Sequence, residues 1–418
     1  MSEEQQAEAR LAWLALVLSP GMGPTRCARV MQRLGAAARL FGCSLTELEG
    51  TGMPAEAAHF VFDGRARKAA VEESSRTADA GAAWITRDDD DYPAGLLEIY
   101  DPPPILWVRG RADRLNRPGI AVVGTRQPST YGAAMAESLS RDLAARGMSV
   151  LSGMARGVDT AAHKGALAGG GITVAVWGTG IDVIYPKENK RLAEQIVEQG
   201  GALVSEFPLG TFPAPQNFPI RNRTLSGMSS GVLVVEAGEY SGTRITARCA
   251  LEQGRDVYAV PGNVTNKNAW GPNTLIKQGA KLTATWEDVW EDLPSQVRLA
   301  LEDEMAARYS DAAGGDGSRN ESLPGTTASL FDESGLGKSE FRSGASLTGF
   351  VERGAMPLGE HERLVMEQLR VDESLQLDEL IERLEPKVTS GEIFTALFEL
   401  ELAGRVRSMP GKNYVKCL

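Results

Sequence analysis

The sequence predicts a doubly wound α/β domain with a helical segment before it and a winged helix after it. Three observations predict that core. Short apolar runs rich in Val, Ile and Ala recur at 120–123, 148–151, 172–177, 202–204, 232–235 and 257–260, as strands buried on both faces should. Segments of helical periodicity, including 133–146, 190–199 and 246–253, separate these runs every 25–30 residues or so. That alternation marks a parallel sheet covered on both sides. Finally, glycine or serine follows nearly every apolar run, where an open parallel sheet places its ligand site.

Taken in chain order, residues 1–83 read as a small helical domain of the SAM or helix-hairpin-helix kind. Its apolar stretch Leu11–Leu18 is followed by Pro20-Gly21-Met22-Gly23-Pro24 and a second amphipathic stretch at 25–34. Such a turn can bring backbone amides to a phosphate, but with no basic residue inside it an ordinary tight turn is the preferred reading. Residues 84–118 form a proline-rich connector with a short strand at 105–108, and the Rossmann-like domain runs to 294. Residues 295–357 turn to Gly, Ser, Asp and Glu and are expected to be a disordered linker. Three helical segments and a closing hairpin across 358–418 predict the winged helix, whose mainly acidic charge makes protein contact at least as good an expectation as DNA reading.

Composition narrows the function. The 418 residues are 42% hydrophobic and 24% charged, as in soluble globular proteins, and no apolar run reaches the ~18 residues of a membrane span. The acidic start MSEEQQAEAR is unlike a secretory signal, so a cytoplasmic setting is expected. Cys27, Cys43, Cys249 and Cys417 have no metal-ligand spacing and read as free thiols; with only three histidines, neither metal nor cofactor is expected. The net charge of −11 argues against coating duplex DNA. Yet Pro118 to Trp286 carries sixteen Lys/Arg against twelve Asp/Glu, so a local anionic partner fits.

The strand ends supply the chemistry: Gly124-Thr125-Arg126, Ser152-Gly153-Met154-Ala155-Arg156-Gly157, Gly178-Thr179-Gly180, Ser205-Glu206, Glu236-Ala237-Gly238 and Pro261-Gly262. Small residues and helix starts collect anions through unpaired N–H groups and the helix dipole. Arg126, Arg156, Lys187, Arg221 and Arg223 bring charge to the same rim, and Ser241-Gly242-Thr243 opens another helix. A dinucleotide fingerprint is absent, since Gly124 stands alone and Gly178-Thr179-Gly180 has Val183 where the third glycine belongs. The P-loop imitation at Gly335–Ser339 has Asp332 at its first glycine position and no strand before it. Asp159 and His163 read as a helix cap and a packing residue. Glu206 and Glu236 are weighed as an acid/base pair but preferred as anchors for glycine loops or arginines. Trp177, Tyr185, Phe207, Phe218, Tyr240 and Trp270 could stack bases, although each singly reads as core.

These motifs together resemble the DNA-processing protein A (DprA/Smf) family: SGMARGVDTAAHKGAL, GTGIDVIYPKENKRL, SEFPLG, FPIRNR, VVEAGEYSGTRITARCALEQGRDVYAVPG and GPNTLIKQGAKL, in order across the α/β domain. The PGMGP turn, the DYPAGLLEIYDPPPILWVRG connector and the terminal ELELAGRVRSMPGKNYVK agree with it. The resemblance implies a non-enzymatic cytosolic protein that binds single-stranded DNA, protects incoming strands and loads RecA onto them in natural transformation. Carried over by motif, its DNA groove comprises Gly124, Thr125, Arg126, Gly153, Arg156, Gly157, Lys187, Arg221, Asn222, Arg223, Ser241, Gly242 and Thr243. It also implies a homodimer through the α/β domain, for which Leu275, Ile276 and Leu282 are candidate contacts. A nucleotide-processing enzyme of a related Rossmann-like fold is the alternative. Such enzymes carry a Pro-Gly-Gly-x-Gly-Thr-x-x-Glu loop; this chain has Glu236-Ala237-Gly238-Glu239-Tyr240-Ser241-Gly242-Thr243 instead, with Ala247 and Arg248 where the glutamate belongs.

Overall fold

The structure, a computed structural model, describes residues 3–239, 241–313, 359–370, 375–384, 388, 390–402, 405–409 and 413–416. It divides into two units, Met1–Arg319 and Asn320–Leu418.

In the first unit the chain opens with helices α1 (Glu3–Val17), α2 (Pro24–Leu34), α3 (Leu45–Gly50), α4 (Ala55–Phe62) and α5 (Arg65–Asp79). Proline occupies the first position of α2, where its missing N–H costs nothing, and Cys27, Val30, Met31 and Leu34 form its buried stripe. Ser44 and Glu47 close a capping box at α3. These helices do not build a separate core. Leu14, Leu16 and Ala70 share one apolar cluster with Trp107, Trp177 and Ile196 of the sheet domain, so residue 83 marks a change of element type rather than a boundary between cores.

The sheet has nine strands: β1 (Ala83–Thr86), β2 (Ile105–Gly110), β3 (Gly119–Val123), β4 (Ser149–Ser152), β5 (Thr173–Trp177), β6 (Ala202–Ser205), β7 (Gly231–Val234), β8 (Asp256–Ala259) and β9 (Lys281–Leu282). Their order is β1-β2-β6-β5-β4-β3-β7-β8-β9. The strands from β6 to β9 are parallel, whereas β1 and β2 join antiparallel at one edge. Alternation along the strands serves both faces. Ile120, Val122 and Val150 pack on Leu139 and Leu143 of α7 (Thr130–Ala145) and Ala162 of α8 (Val158–Ala168). Ala121, Val123 and Val232 pack toward Leu225 of α10 (Asn217–Gly227) and Ala247 and Ala250 of α11 (Thr243–Glu252). Between them in sequence α9 (Lys190–Glu198) leads to β6; α6 is the short Ala94–Leu97 turn of the connector, and α12 (Trp270–Lys277) precedes β9. From β3 the chain winds out to β6, then crosses back to β7, which places the topological switch point between β3 and β7.

Past β9, α13 (Glu287–Trp290) leads to α14 (Ser295–Ala313), and here the structure differs from the expected linker. Leu301 is buried among Leu143, Met148 and Leu293, and Arg117 clamps Glu304 with two hydrogen bonds of 2.8 Å. The segment 295–313 has the apolar spacing to dock, and composition averaged over a longer window concealed it. The remainder of the expected linker, including the P-loop imitation, lies outside the described residues.

The second unit contains α15 (Glu360–Gln368), β10 (Leu375–Gln376), α16 (Leu377–Leu384), α17 (Ser390–Leu402), β11 (Val406–Met409) and β12 (Asn413–Lys416). The strands pair antiparallel in the order β10-β12-β11. Val365, Leu380, Ile393, Leu397 and Leu400 form its own core. This is the winged helix read from the sequence.

Candidate nucleic-acid interface

A cavity of about 1000 Å3 opens at the switch point, beyond the carboxyl ends of β3 and β7. Its floor is built by loops whose glycines permit close backbone approach. At Gly124 a Cβ would strike Val158 and the Glu236 carbonyl, and the Thr125 amide donates to that carbonyl at 2.6 Å. Gly157 has φ of +77° and sits against the Thr125 carbonyl and Arg126 backbone, so only glycine fits. The loop after β4 is held more tightly still. Met154 is buried at φ +59°, and the Asn189 side chain donates to its carbonyl at 2.8 Å and to Thr160 Oγ1 at 2.9 Å. The asparagine of the PKEN segment therefore braces the rim from the next crossover.

The buried carboxylates at the rim are occupied. Glu236, 2% exposed, accepts from the Ser129 amide at 2.8 Å and its hydroxyl at 2.6 Å, and from the Asn266 and Asn268 side chains. Asp159 accepts from the Ala155 amide at 3.2 Å; burial pushes its pKa up while the Arg221 charge opposes that rise. His163 bonds Thr173 through Nδ1 at 2.7 Å, and burial pulls its pKa down to about 3. His163 packs and Glu236 anchors as expected, whereas Asp159 does not cap α8. It lies inside the first turn, Gly157 holds the N-cap position with no side-chain cap bond, and the carboxylate ties down the preceding loop at Ala155 instead.

The arginines divide. Arg126 is exposed, lines the cavity and lies over the Phe218 ring at 5.7 Å, with no ion pair among the described residues. Arg221 lies against the same ring at 5.8 Å but is buried; its Nη1 donates to the Gly153 and Val176 carbonyls at 2.5 and 2.8 Å, and its Nε to Asn222. Burial lowers its pKa, with Asp159 opposing and Arg126 adding to the shift, although guanidinium keeps its charge under these conditions. Arg156 lines the cavity while paired with exposed Glu188, a link weak enough to be exchanged for a phosphate. Ser241, Gly242 and Thr243 form the opposite wall at the start of α11, and at Gly238 and Gly242 the Cβ position is open among the described residues.

Four expected contacts lie outside this cavity's lining. Arg223 does not line the cavity: it is locked to Glu206 at 2.5 Å and Asp101 at 2.6 Å, with its side chain only 14% exposed. The FPIRNR segment is helical, and side chains two residues apart on a helix point to different faces. Lys187 is exposed on the loop after β5, outside the cavity lining, and Gly153 and Gly157 support the rim through backbone packing. In return the cavity gains Lys267, Asn268 and the 38% exposed Trp270, which follow the Pro261-Gly262 strand end. Their polar run after β8 was the available signal. Tyr185, 41% exposed, lies 5.8 Å from Phe218, Phe207 is half-buried, Trp177 is core, and Tyr240 lies outside the described residues.

A doubly wound α/β protein with a cationic, glycine-floored cleft at its switch point is thus what fold and site define. The chain belongs to the DNA recombination-mediator protein A family, whose model matches residues 83–294; a model of the DprA winged helix domain matches 352–412. Protein Smf of Synechocystis is 32% identical over 96% of this chain and 97% of its own. Protein Smf of Escherichia coli is 49% identical over 50% of this chain, a match that takes in 56% of that protein. The crystal structure of DNA processing protein A from Streptococcus pneumoniae aligns with 66% of this chain and 96% of its own at 35% identity and a TM-score of 0.59.

Proposed function

We propose that the switch-point cleft binds single-stranded DNA and that the protein, without catalysing a reaction, protects incoming strands and loads the RecA recombinase onto them during natural transformation. The observation that carries the binding step is the convergence of Arg126, unpaired among the described residues, and buried Arg221 on the Phe218 ring in a cavity that the start of α11 also lines. Phosphates fit backbone N–H groups and guanidinium, while bases fit the exposed rings. Such contacts are indifferent to base sequence. A single strand bends its phosphates into a pocket and a duplex resists doing so.

Family membership supports the handover to RecA, and a cytoplasmic setting accords with a described structure in which no helix is long and apolar enough to cross a membrane. A homodimer through the α/β domain is supported by the open edge of β9, where Leu282 is 47% exposed, with Leu275 and Ile276 half-buried on α12 nearby. Against a nucleotide-processing enzyme stands the engagement of Glu206, Glu236 and Asp159 in structural bonds. Fluorescence anisotropy with single-stranded and duplex oligonucleotides tests the proposal. Tighter single-strand binding, weakened about tenfold or more by Arg126→Ala, is expected; equal affinity of that variant would remove the cleft from consideration.

A further inference from the structure

Across the cleft from the Arg126–Phe218 station, the structure repeats the same motif with different residues. Arg244 of α11 lies over the Trp270 ring at 5.3 Å, and its Nη1 donates to the Glu239 carbonyl at 3.1 Å. The two stations fall on different sides of the switch. Arg126 and Phe218 also line a small recess with Gly153 and Gly178, beyond β4 and β5, whereas Arg244 and Trp270 belong to the helices after β7 and β8.

Trp270 is exposed without being loose. The Ala237 amide donates to the Asn268 carbonyl at 2.7 Å, and the Gly271 amide donates to the Ala237 carbonyl at 2.8 Å. Asn268 Nδ2 donates to the Gln127 carbonyl at 3.0 Å, and Asn266 accepts from the Asn268 amide. At Gly271 a Cβ would collide with Ala237, so the first turn of α12 is seated on the β7 loop. A large ring held partly exposed in the cavity wall carries an exposure cost that packing has not removed. Lys267, three residues earlier and lining the same cavity, makes no ion pair among the described residues.

We propose that Trp270, backed by Arg244 and flanked by Lys267, is a second base-stacking station, so that a single strand spans the cleft from Phe218 to Trp270 instead of docking at one end. This rests on the single-strand reading of the cleft. The guanidinium behind the indole strengthens and orients the ring, the free face takes a base, and Lys267 pairs the adjoining phosphate. The volume of about 1000 Å3 is at the upper end of small-ligand pockets, room for more than one nucleotide.

The test uses the full chain and oligothymidylates of increasing length. Trp270→Ala should bind the shortest oligomers like wild type but lose roughly five- to 150-fold on longer ones, the size of one base–aromatic stack. Trp270→Phe should recover most of that loss, and a long oligomer without bases should not distinguish wild type from Trp270→Ala. Melting temperatures report folding of each variant. If wild type binds long oligomers and Trp270→Ala matches it at every length, the second station is wrong and the cleft reading stands. If Trp270→Ala changes the oligomeric state and leaves affinity intact, the ring belongs to a protein interface and the inference is overturned. If wild type binds no oligomer, both fall.

Discussion

Replacing Arg223 by alanine should unfold the protein more readily while leaving its affinity for single strands nearly intact, the reverse of what the FPIRNR motif suggests. Its guanidinium joins Asp101 of the connector to Glu206 at the end of β6, and Glu206 retains only 6% side-chain exposure. Burial raises the Glu206 pKa, and Arg223 is the main influence lowering it again, with Thr224 also donating to the carboxylate. Removing one partner of such a pair strands the other, at a cost of about 3–5 kcal/mol. Glu206 can take up a proton, which holds the loss near the lower figure, and 3 kcal/mol lowers the melting temperature of a domain this large by roughly 6–12 °C.

The sign with pH follows from the same pair. In Arg223→Ala the folded carboxyl binds its proton more tightly than the unfolded one, so stability falls as pH rises above the ordinary glutamate range. The deficit relative to wild type should therefore be small near pH 4 and full near neutrality. Melts followed by circular dichroism across pH, with anisotropy titrations at a temperature where the variant is folded, separate the two effects. A variant that melts with wild type yet loses single-strand binding would refute the assignment of Arg223 to structure.

Arg126→Ala should keep the wild-type melting temperature and reduce the slope of log affinity against log salt by about 0.7, measured by anisotropy over a salt series. Gly153→Ala should displace Arg221, whose guanidinium occupies the space a Cβ would need; a loss of about 1–3 kcal/mol in a denaturant melt, with weaker binding, is expected. His163 has its folded pKa depressed to about 3, so its contribution is present above the ordinary histidine range and lost as pH falls through it. Wild type should lose about 2 kcal/mol between pH 7 and pH 5 from this group, and His163→Gln should show a flatter profile in the same melts. Limited proteolysis should yield a fragment ending near Ala313, not near Leu293, because Leu301 and Glu304 secure α14 to the sheet domain; that fragment should retain single-strand affinity.

The parallel sheet and its rim were legible in the sequence because both depend on local patterns. Buried strands must be continuously apolar, and chain turning close to a helix start needs small residues, so Gly124 and Gly157 mark their own backbone positions. What was not legible depends on direction. Arg221 and Arg223 are near neighbours in sequence, and only their placement on one helix sends the first to the cleft and the second to Glu206. Helical spacing could have separated them, but a segment beginning Phe-Pro reads as a loop. The docking of α14 and the shared core of the N-terminal helices depend on distant partners, Leu143 for Leu301 and Trp107 for Leu14, which periodicity does not reveal. Lys267 escaped notice for the same reason: its loop returns to the rim only because Asn266 and Asn268 reach Glu236.

That network also resolves how an acidic chain of net charge −11 can present a site for a polyanion. Long-range repulsion between exposed charges is screened beyond about 10 Å, so the cleft responds mainly to the groups within it. The buried carboxylates of the neighbouring strand ends are engaged elsewhere: Glu236 in the Ser129 turn, Asp159 on the Ala155 amide and Glu206, outside the lining, with Arg223. Arg126, Arg221 and Lys267 remain along the lining, opposed by the exposed Glu239. Helix α17 shows the opposite arrangement, with Glu392, Glu399 and Glu401 and no lysine or arginine in its sequence SGEIFTALFELEL. In a winged helix this is the element that would enter the major groove, where neutralising phosphates requires positive charge. On the proposed reading, nucleic-acid binding is therefore expected in the cleft of the α/β unit, and the charge of α17 suits a protein partner better than a duplex.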